Sequence, residues 1–168
     1  MYTIQKHLQY NLWANGKIVE ILANVDEKLF DTEIKSSFPT IRKTLHHIWD
    51  AEQIWFTRIK GQEATTWPSA SFKGGNEDLL KGFTESSKKL SDFIATKDRG
   101  YLDQVITYKN TKGAEFSNPI EDILFHVVNH ASFHRGQIVT MLRELGFDKF
   151  PPQDLIAYLR QQSVESLS

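Results

Sequence analysis

The chain has 168 residues and a formal net charge of -1, from 20 Lys and Arg against 21 Asp and Glu. This length suits a single domain over residues 1–168, and the balanced charge provides no basic surface for nucleic acid or an anionic membrane. Cysteine is absent, so disulfide bonds, thiolate metal ligands and a cysteine nucleophile are excluded. Any metal ligand must therefore be nitrogen or oxygen.

Two amphipathic helices are predicted in the first part of the chain. Apolar residues recur at every third or fourth position between residue 2 and about residue 24. The same spacing returns at Ile41 and continues until Gly61, where the glycine provides a stop. The sequence Ser-Ser-Phe-Pro at 36–39 predicts a loop between the two helices.

The middle of the chain has a more varied pattern. Residues 62–75 contain a proline and two adjacent glycines, which predict a long connection. A third helix is predicted from Asn76, as its capping residue, to about residue 96. In 101–116, β-branched and aromatic residues precede the turn sequence Asn-Thr-Lys-Gly at 110–113, which predicts a small β-hairpin.

The last part of the chain adds two more helices. Pro119 suits the first turn of a fourth helix, and Gly146 ends it. A short fifth helix is predicted from Asp154 to about Arg160, followed by a polar tail. We therefore predict an all-α fold, an antiparallel four-helix bundle with a short fifth helix and a small β-hairpin before helix four.

Three histidines lie on one stripe of the predicted fourth helix. His126, His130 and His134 follow one another at four-residue spacing, which can bring two imidazoles to one ion without bending the helix. At about 100° per residue, His130 and His134 lie nearest the apolar side, and His126 lies farther from it. A lone histidine there is more often a hydrogen-bonded boundary residue, but three together favour a shared metal ion.

A third ligand has to come from another helix. His46 and His47 form the only other histidine cluster, and both lie off the centre of the apolar side of helix two, so periodicity cannot choose between them. Asp50, one turn after His47, is a candidate general base or a partner for a ligand imidazole, although a solvated surface role is commoner. Glu52 falls on the apolar side, where a buried carboxylate needs a partner such as Arg135 or another cation of the bundle, although an exposed end of the bundle would explain its position equally well. Three other polar residues carry weaker expectations, with Asn15 and Gln137 as candidate liners of the site and His7 at the surface.

The sequence resembles the DinB / YfiT-like family of metal-binding four-helix bundles. The similarity is carried by the segments LHHIWDAEQIW and HVVNHASFHRGQIVTMLRELG, with YNLWAN and DLIAYLR near the two ends, so it spans nearly the whole chain. It implies one divalent ion held by a histidine on helix two and two on helix four, which correspond to His47, His130 and His134. In this pattern His46 is a helix-surface residue, and His126 has a supporting or structural role.

A site of three histidines leaves one coordination position open, which is typical of reactive metal sites. Water or a thiol bound there becomes more acidic, so hydrolysis and thiol transfer are both accessible. The resemblance therefore implies a metal-dependent enzyme, either a hydrolase or a low-molecular-weight-thiol transferase, and we expect zinc or nickel as the ion. The alternative is a non-enzymatic metal- or ligand-binding bundle, such as a stress-related protein.

The expected partners are a small-molecule substrate, with a low-molecular-weight thiol as one candidate, and a second copy of the chain in a homodimer. Neither nucleic acid nor a membrane is expected. The N-terminus has no signal-peptide pattern, and no run of about 18 uncharged apolar residues occurs, so we expect a cytoplasmic protein.

Overall fold

The computed structural model describes residues 2–64, 66–110 and 112–165, so Thr111 of the predicted turn lies outside the described residues. In chain order the elements are α1 (Ile4–Leu22), a 3-10 helix (Glu27–Asp31), α2 (Ile41–Ile59), α3 (Pro68–Ser71), α4 (Asn76–Ala95), α5 (Arg99–Leu102), β1 (Val105–Lys109), β2 (Glu115–Pro119), α6 (Ile120–Glu144) and α7 (Leu155–Glu165). The predicted helical fold with a small β-hairpin before helix four is confirmed.

The four long helices α1, α2, α4 and α6 form the bundle, in which α1 and α2 each pack against α4 and α6. The hydrophobic clusters give the directions of the helices. One cluster holds the start of α1 and α6 and the end of α2 and α4, and a second cluster holds the opposite ends. Helices α2 and α6 are therefore antiparallel neighbours, as are α1 and α4, whereas α1 and α6 run in the same direction.

A polar layer lies near the boundary between the two hydrophobic clusters. One cluster includes Leu8 and Ile123, and the other includes Leu22 and Leu142. The buried polar side chains near their boundary come from all four long helices and include Asn11, Asn15, Glu52, Ser87 and Arg135. The core of the bundle is thus interrupted at mid-height by hydrogen-bonding groups.

The predicted helix ends depend on glycine where it was expected. Gly61 follows α2 with a φ of 73°, and Gly146 follows α6 with a φ of 93°. These positive φ values are the left-handed conformation that commonly ends a helix and that glycine adopts without steric cost.

Some predicted boundaries were wrong. Asn76 is the first residue of α4 and does not cap it, because Gly75 occupies the capping position and its N–H donates to the Asp78 carboxylate at 3.3 Å. Pro119 occupies the position just before the first turn of α6, where its side chain makes no capping hydrogen bond. Helix α7 continues beyond the predicted end to Glu165, since the glutamines that follow residue 160 are good helix formers.

The hairpin lies beside the C-terminal end of α2. Strands β1 and β2 pair antiparallel, with Val105 opposite Pro119 and Lys109 opposite Glu115. The guanidinium of Arg58 on α2 donates to the carbonyl of Lys109 at 2.8 Å, which joins the hairpin to the helix. No helix within the described ranges combines the length and the hydropathy that a membrane span requires.

Candidate metal centre

Two neighbouring helices supply the three predicted metal ligands. Helix α2 carries His47, and α6 carries His130 and His134 about one turn apart. The start of α2 is fixed by Thr40, whose hydroxyl accepts the N–H of Lys43 at 3.1 Å. Because α2 and α6 are antiparallel neighbours, the ring of His47 lies against both rings of α6.

The imidazoles of His47, His130 and His134 converge at this interface. One nitrogen from each ring lies within 4.8 Å of the other two, and Nε2 of His47 is 2.9 Å from Nε2 of His130. The ring centroids are 4.5 to 4.8 Å apart. Two nitrogens that bind one ion at about 2.0–2.1 Å lie roughly 2.9 to 3.4 Å apart. The His47–His130 pair has this spacing, and the third nitrogen lies close enough for the set to hold a single divalent ion after small rotations of the rings. His134 is buried and the other two rings are half-buried.

Gln137 holds the ring of His134 in a defined orientation. Nδ1 of His134 donates to Oε1 of Gln137 at 2.7 Å, and Nε2 of Gln137 donates to Oγ of Ser37 at 3.4 Å. With the proton on Nδ1, the lone pair of His134 is on Nε2 and is free to bind a metal ion. Gln137, predicted only as a liner of the site, thus contacts a candidate ligand directly.

Phe38 covers one side of the histidine cluster. Its ring stacks on His47 at a centroid distance of 4.0 Å and contacts the edge of His134 at 5.5 Å. The loop that carries Phe38 is closed by the N–H of Ile34, which donates to the carbonyl of Pro39 at 2.8 Å. The sequence predicted only a loop here, because periodicity does not connect a loop residue to a helix. Its one available signal was the position of Phe38 shortly before the helix that carries His47.

The surroundings of His47 and His130 favour the uncharged imidazole. Burial, with smaller contributions from the neighbouring His134 and His47, lowers the pKa of His130 to about 4. Burial also lowers the pKa of His47 below its ordinary value, with His134 contributing in the same direction. Neutral imidazole is the form that binds metal ions, so these two residues need not lose a proton at neutral pH.

Asp50 is buried one turn beyond His47, but its carboxylate is engaged away from the cluster. Oδ1 accepts the backbone N–H of Ser69 at 2.9 Å, and Oδ2 accepts the hydroxyl of the same residue at 2.5 Å. Since Ser69 lies in α3, Asp50 fastens α3 to α2. In the described part of the chain, no carboxylate joins the three histidines. The role of Asp50 as a general base stays a prediction.

Glu52 is buried and is held by neutral groups. Nδ2 of Asn11 donates to Oε2 of Glu52 at 3.1 Å, and the hydroxyl of Ser87 donates to its carboxylate at 3.0 Å. Arg135 reaches Glu52 through Asn11, because its Nη1 donates to Oδ1 of Asn11 and of Asn15 at 2.7 Å. Burial raises the pKa of Glu52 to about 7, although these hydrogen bonds and the charge of Arg135 oppose the shift. Asn15, predicted as a liner of the site, lies in this core network.

The other histidines lie outside the cluster. His7 is buried, contrary to the prediction of a surface position, because the rings of Tyr2 and Phe125 pack against it; its Nδ1 forms a hydrogen bond with the hydroxyl of Tyr2 at 2.7 Å. His46 is half-buried against Phe72, and its Nε2 has no hydrogen-bond partner within the described ranges. His126 is exposed and contacts the ring of His130.

Comparison with known proteins agrees with this architecture. A family model described as the DinB family matches residues 1–165. The chain is 27% identical over 153 residues to protein DinB of Bacillus subtilis (strain 168), which covers 87% of this chain and 88% of that protein. It is 26% identical over 103 residues to the uncharacterized protein YizA of the same strain, which covers 61% of this chain and 62% of YizA.

Solved structures share the fold. YfiT from Bacillus subtilis, described as a probable metal-dependent hydrolase with an unusual four-helix bundle topology, gives a TM-score of 0.68 at 15% identity, over 86% of this chain and 89% of YfiT. A DinB-like protein from Bacillus cereus ATCC 10987 gives a TM-score of 0.68 at 18% identity, over 90% of this chain and 99% of that one. At these identities the likeness shows the fold alone, whereas the family match extends over nearly the whole sequence. The chain therefore belongs to the DinB family.

Proposed function

We propose that this protein is a metal-dependent enzyme that binds one divalent ion through His47, His130 and His134. The observation that carries the proposal is the convergence of three imidazoles from two helices, with donor atoms within 4.8 Å of one another. Within the described residues no carboxylate completes the set, which leaves a coordination position for water or a substrate atom. Membership of the DinB family and the description of YfiT support the proposal.

A divalent ion at this site would make water or a thiol at its open position more acidic and so a better nucleophile. The chain's own residues orient and shield that position. Gln137 fixes the ring of His134 through Nδ1, and Phe38 keeps bulk water from one face of His47. The low pKa of His130 keeps its ring neutral and available as a donor.

The proposed reaction is transfer of a low-molecular-weight thiol to a small-molecule substrate, with zinc or nickel as the ion, since imidazole suits both metals. A thiol has an ordinary pKa of about 8.5 and so needs far less help to ionise than water does. Both oxygens of Asp50 accept hydrogen bonds from Ser69, so Asp50 is not poised as a base for water. Hydrolysis is the second candidate. The description of YfiT favours it, and Asp50 could serve it if the bonds to Ser69 open.

Elemental analysis of freshly purified protein tests the metal site. We expect close to one zinc or nickel ion per chain in the wild type and loss of the ion in His130→Ala. His126→Ala is the matched control, because His126 lies on the same helix but outside the cluster, and it should retain the ion. A metal-free wild type that zinc and nickel cannot reconstitute would reject the proposal.

Two assays of the metal-loaded protein separate the candidate reactions. Conjugation of a small thiol to an electrophilic dye reports transfer, and cleavage of nitrophenyl esters reports hydrolysis. Metal-dependent conjugation supports the first candidate, and metal-dependent ester cleavage alone supports the second. If neither occurs while chelation lowers the unfolding temperature, the non-enzymatic alternative is the better interpretation. A homodimer, checked by sedimentation equilibrium, and a cytoplasmic location remain proposals from the sequence.

A further inference from the structure

The histidine cluster continues into a row of exposed and half-buried rings. The ring of His130 contacts His126 at a centroid distance of 5.8 Å, and His126 contacts Trp55 at 5.7 Å. Trp55 in turn contacts Tyr108 of the hairpin at 4.7 Å. We name His130, His126, Trp55 and Tyr108 the aromatic row. His126 is exposed and the other three are half-buried, so the row offers ring surface to a ligand.

Arg58 lies at the far end of the aromatic row. Its guanidinium carbon is 4.8 Å from the ring centroid of Trp55 and 5.1 Å from that of Tyr108, and its Nη2 donates to the carbonyl of Lys109 at 2.8 Å. These contacts hold the guanidinium in one place. Arg58 and Lys109 line a cleft of about 590 Å³ between the end of α2 and the hairpin.

The charge of Arg58 lacks a carboxylate partner in the described part of the chain. Glu63 and Glu115 line the same cleft, but neither carboxylate forms an ion pair with the guanidinium of Arg58. A guanidinium fixed by stacking presents its N–H donors in a planar arrangement that matches a carboxylate. The guanidinium of Arg58 is therefore available to a carboxylate that a ligand supplies.

We infer that a ligand bound at the histidine cluster extends along the aromatic row and places a terminal carboxylate on Arg58. At about 1.5 Å per residue, Arg58 lies roughly 16 Å from His47 along α2. The ligand class is thus an elongated molecule with a metal-binding group at one end and a carboxylate at the other. Its apolar middle contacts the rings of Trp55 and Tyr108. The inference rests on the proposed metal site, and it identifies the chemical group at the end of the substrate that lies farthest from the ion.

Mercapto acids are suitable probes, because their thiol binds the ion and the distance to their carboxylate can be chosen. Cobalt(II)-loaded protein is titrated with mercaptopropionate, mercaptoundecanoate and the uncharged mercaptoundecanol, and the thiolate-to-cobalt absorption band reports binding at the centre. We expect the wild type to bind mercaptoundecanoate about tenfold more tightly than mercaptoundecanol, as one charge-assisted hydrogen bond allows. In Arg58→Gln the two long thiols should bind equally, and mercaptopropionate should bind as it does to the wild type.

Lys60→Gln is the matched control for a general loss of positive charge. Lys60 lies at the same end of α2, but its ammonium group is placed over Phe56 at 4.6 Å, away from the aromatic row. This variant should keep the preference for the acid. Equal affinity of the wild type for the acid and the alcohol, or an unchanged preference in Arg58→Gln, overturns the inference. A complete absence of the absorption band with every thiol overturns the metal site itself, and the inference with it.

Discussion

Oε1 of Gln137 accepts a hydrogen bond from Nδ1 of His134 at 2.7 Å, within one turn of α6. The bond determines which nitrogen of His134 is available to a metal ion. It also connects the ring, through Gln137, to Ser37 in the loop that carries Phe38. The geometry of the centre therefore depends on residues that do not themselves donate to the ion.

Replacement of Gln137 by leucine should weaken metal affinity. Loss of the acceptor frees the ring of His134 to rotate and to exchange tautomers, and changes of this kind typically cost about 10- to 100-fold in affinity. Gln137→Glu keeps an acceptor for Nδ1 and should retain most of the affinity. Competition with a chromophoric chelator measures both variants, and equal affinity of Gln137→Leu and the wild type would count against this role.

Replacement of Glu52 by glutamine should change how stability depends on pH. In the folded protein the pKa of Glu52 is raised by burial to about 7 from its ordinary 4.5. The folded state thus holds a proton that the unfolded chain releases between these values. The resulting contribution to the free energy of unfolding is fully present below pH 4.5 and is lost as the pH rises through 7. It amounts to about 3 kcal/mol.

Urea unfolding at a series of pH values checks this expectation. The stability of the wild type minus that of Glu52→Gln should fall as the pH rises over this range. The subtraction removes the opposite effect of His47 and His130, whose depressed pKa values cause stability to be lost as the pH falls. A difference that does not vary with pH would show that Glu52 is not protonated in the folded state.

Replacement of Gly82 by alanine should destabilise the bundle. A Cβ at this position would lie 2.6 Å from Cη2 of Trp49, whose indole is packed against Phe72 at 5.7 Å. Alanine is favoured over glycine in helices by about 1 kcal/mol, but overpacking of this kind costs about 1 to 3 kcal/mol. Gly16→Ala in α1 is the matched control, because a Cβ there meets nothing within 4 Å and should stabilise the helix. Thermal unfolding of both variants measures the change in unfolding temperature, which should be negative for Gly82→Ala and positive for Gly16→Ala.

Asp50→Asn and Ser69→Ala should both loosen α3 from α2 while the metal content is unchanged. Each variant removes part of the same pair of hydrogen bonds, so we expect a loss of about 1 to 2 kcal/mol for each and less than the sum for the double variant. Urea unfolding and elemental analysis measure these effects. If Asp50 is also a general base, Asp50→Asn alone loses turnover, and Ser69→Ala retains it.

Features that depend on spacing along one helix could be predicted from the sequence. The apolar periodicity of α2 and the glycines after α2 and α6 placed those elements, and the four-residue spacing placed His130 and His134 on one stripe. The choice between His46 and His47 was different. It depends on how α2 is rotated against α6, which one helix does not reveal, so only the family resemblance selected His47.

Contacts between segments that are distant in the sequence could not be predicted from periodicity. His7 is buried because Tyr2 and Phe125 cover a side of α1 that the sequence pattern predicts to be polar and exposed. The helical wheel placed Glu52 on the apolar side of α2 without deciding whether it is buried, and its neutral partners come from other helices. The hydrogen bonds between Ser69 and Asp50 depend on the short helix α3, which lies inside a segment that the sequence predicts only as a connection.

His47 and His130 are 83 residues apart in the sequence, yet their Nε2 atoms are 2.9 Å apart. An ion shared by them would act as a reversible cross-link that closes a loop containing α4 and the hairpin, and such links reduce the conformational freedom of the unfolded chain. Because the unfolded chain does not hold the ligands together, free metal would raise the free energy of unfolding by mass action. Resistance to proteolysis would then follow the metal supply of the cell.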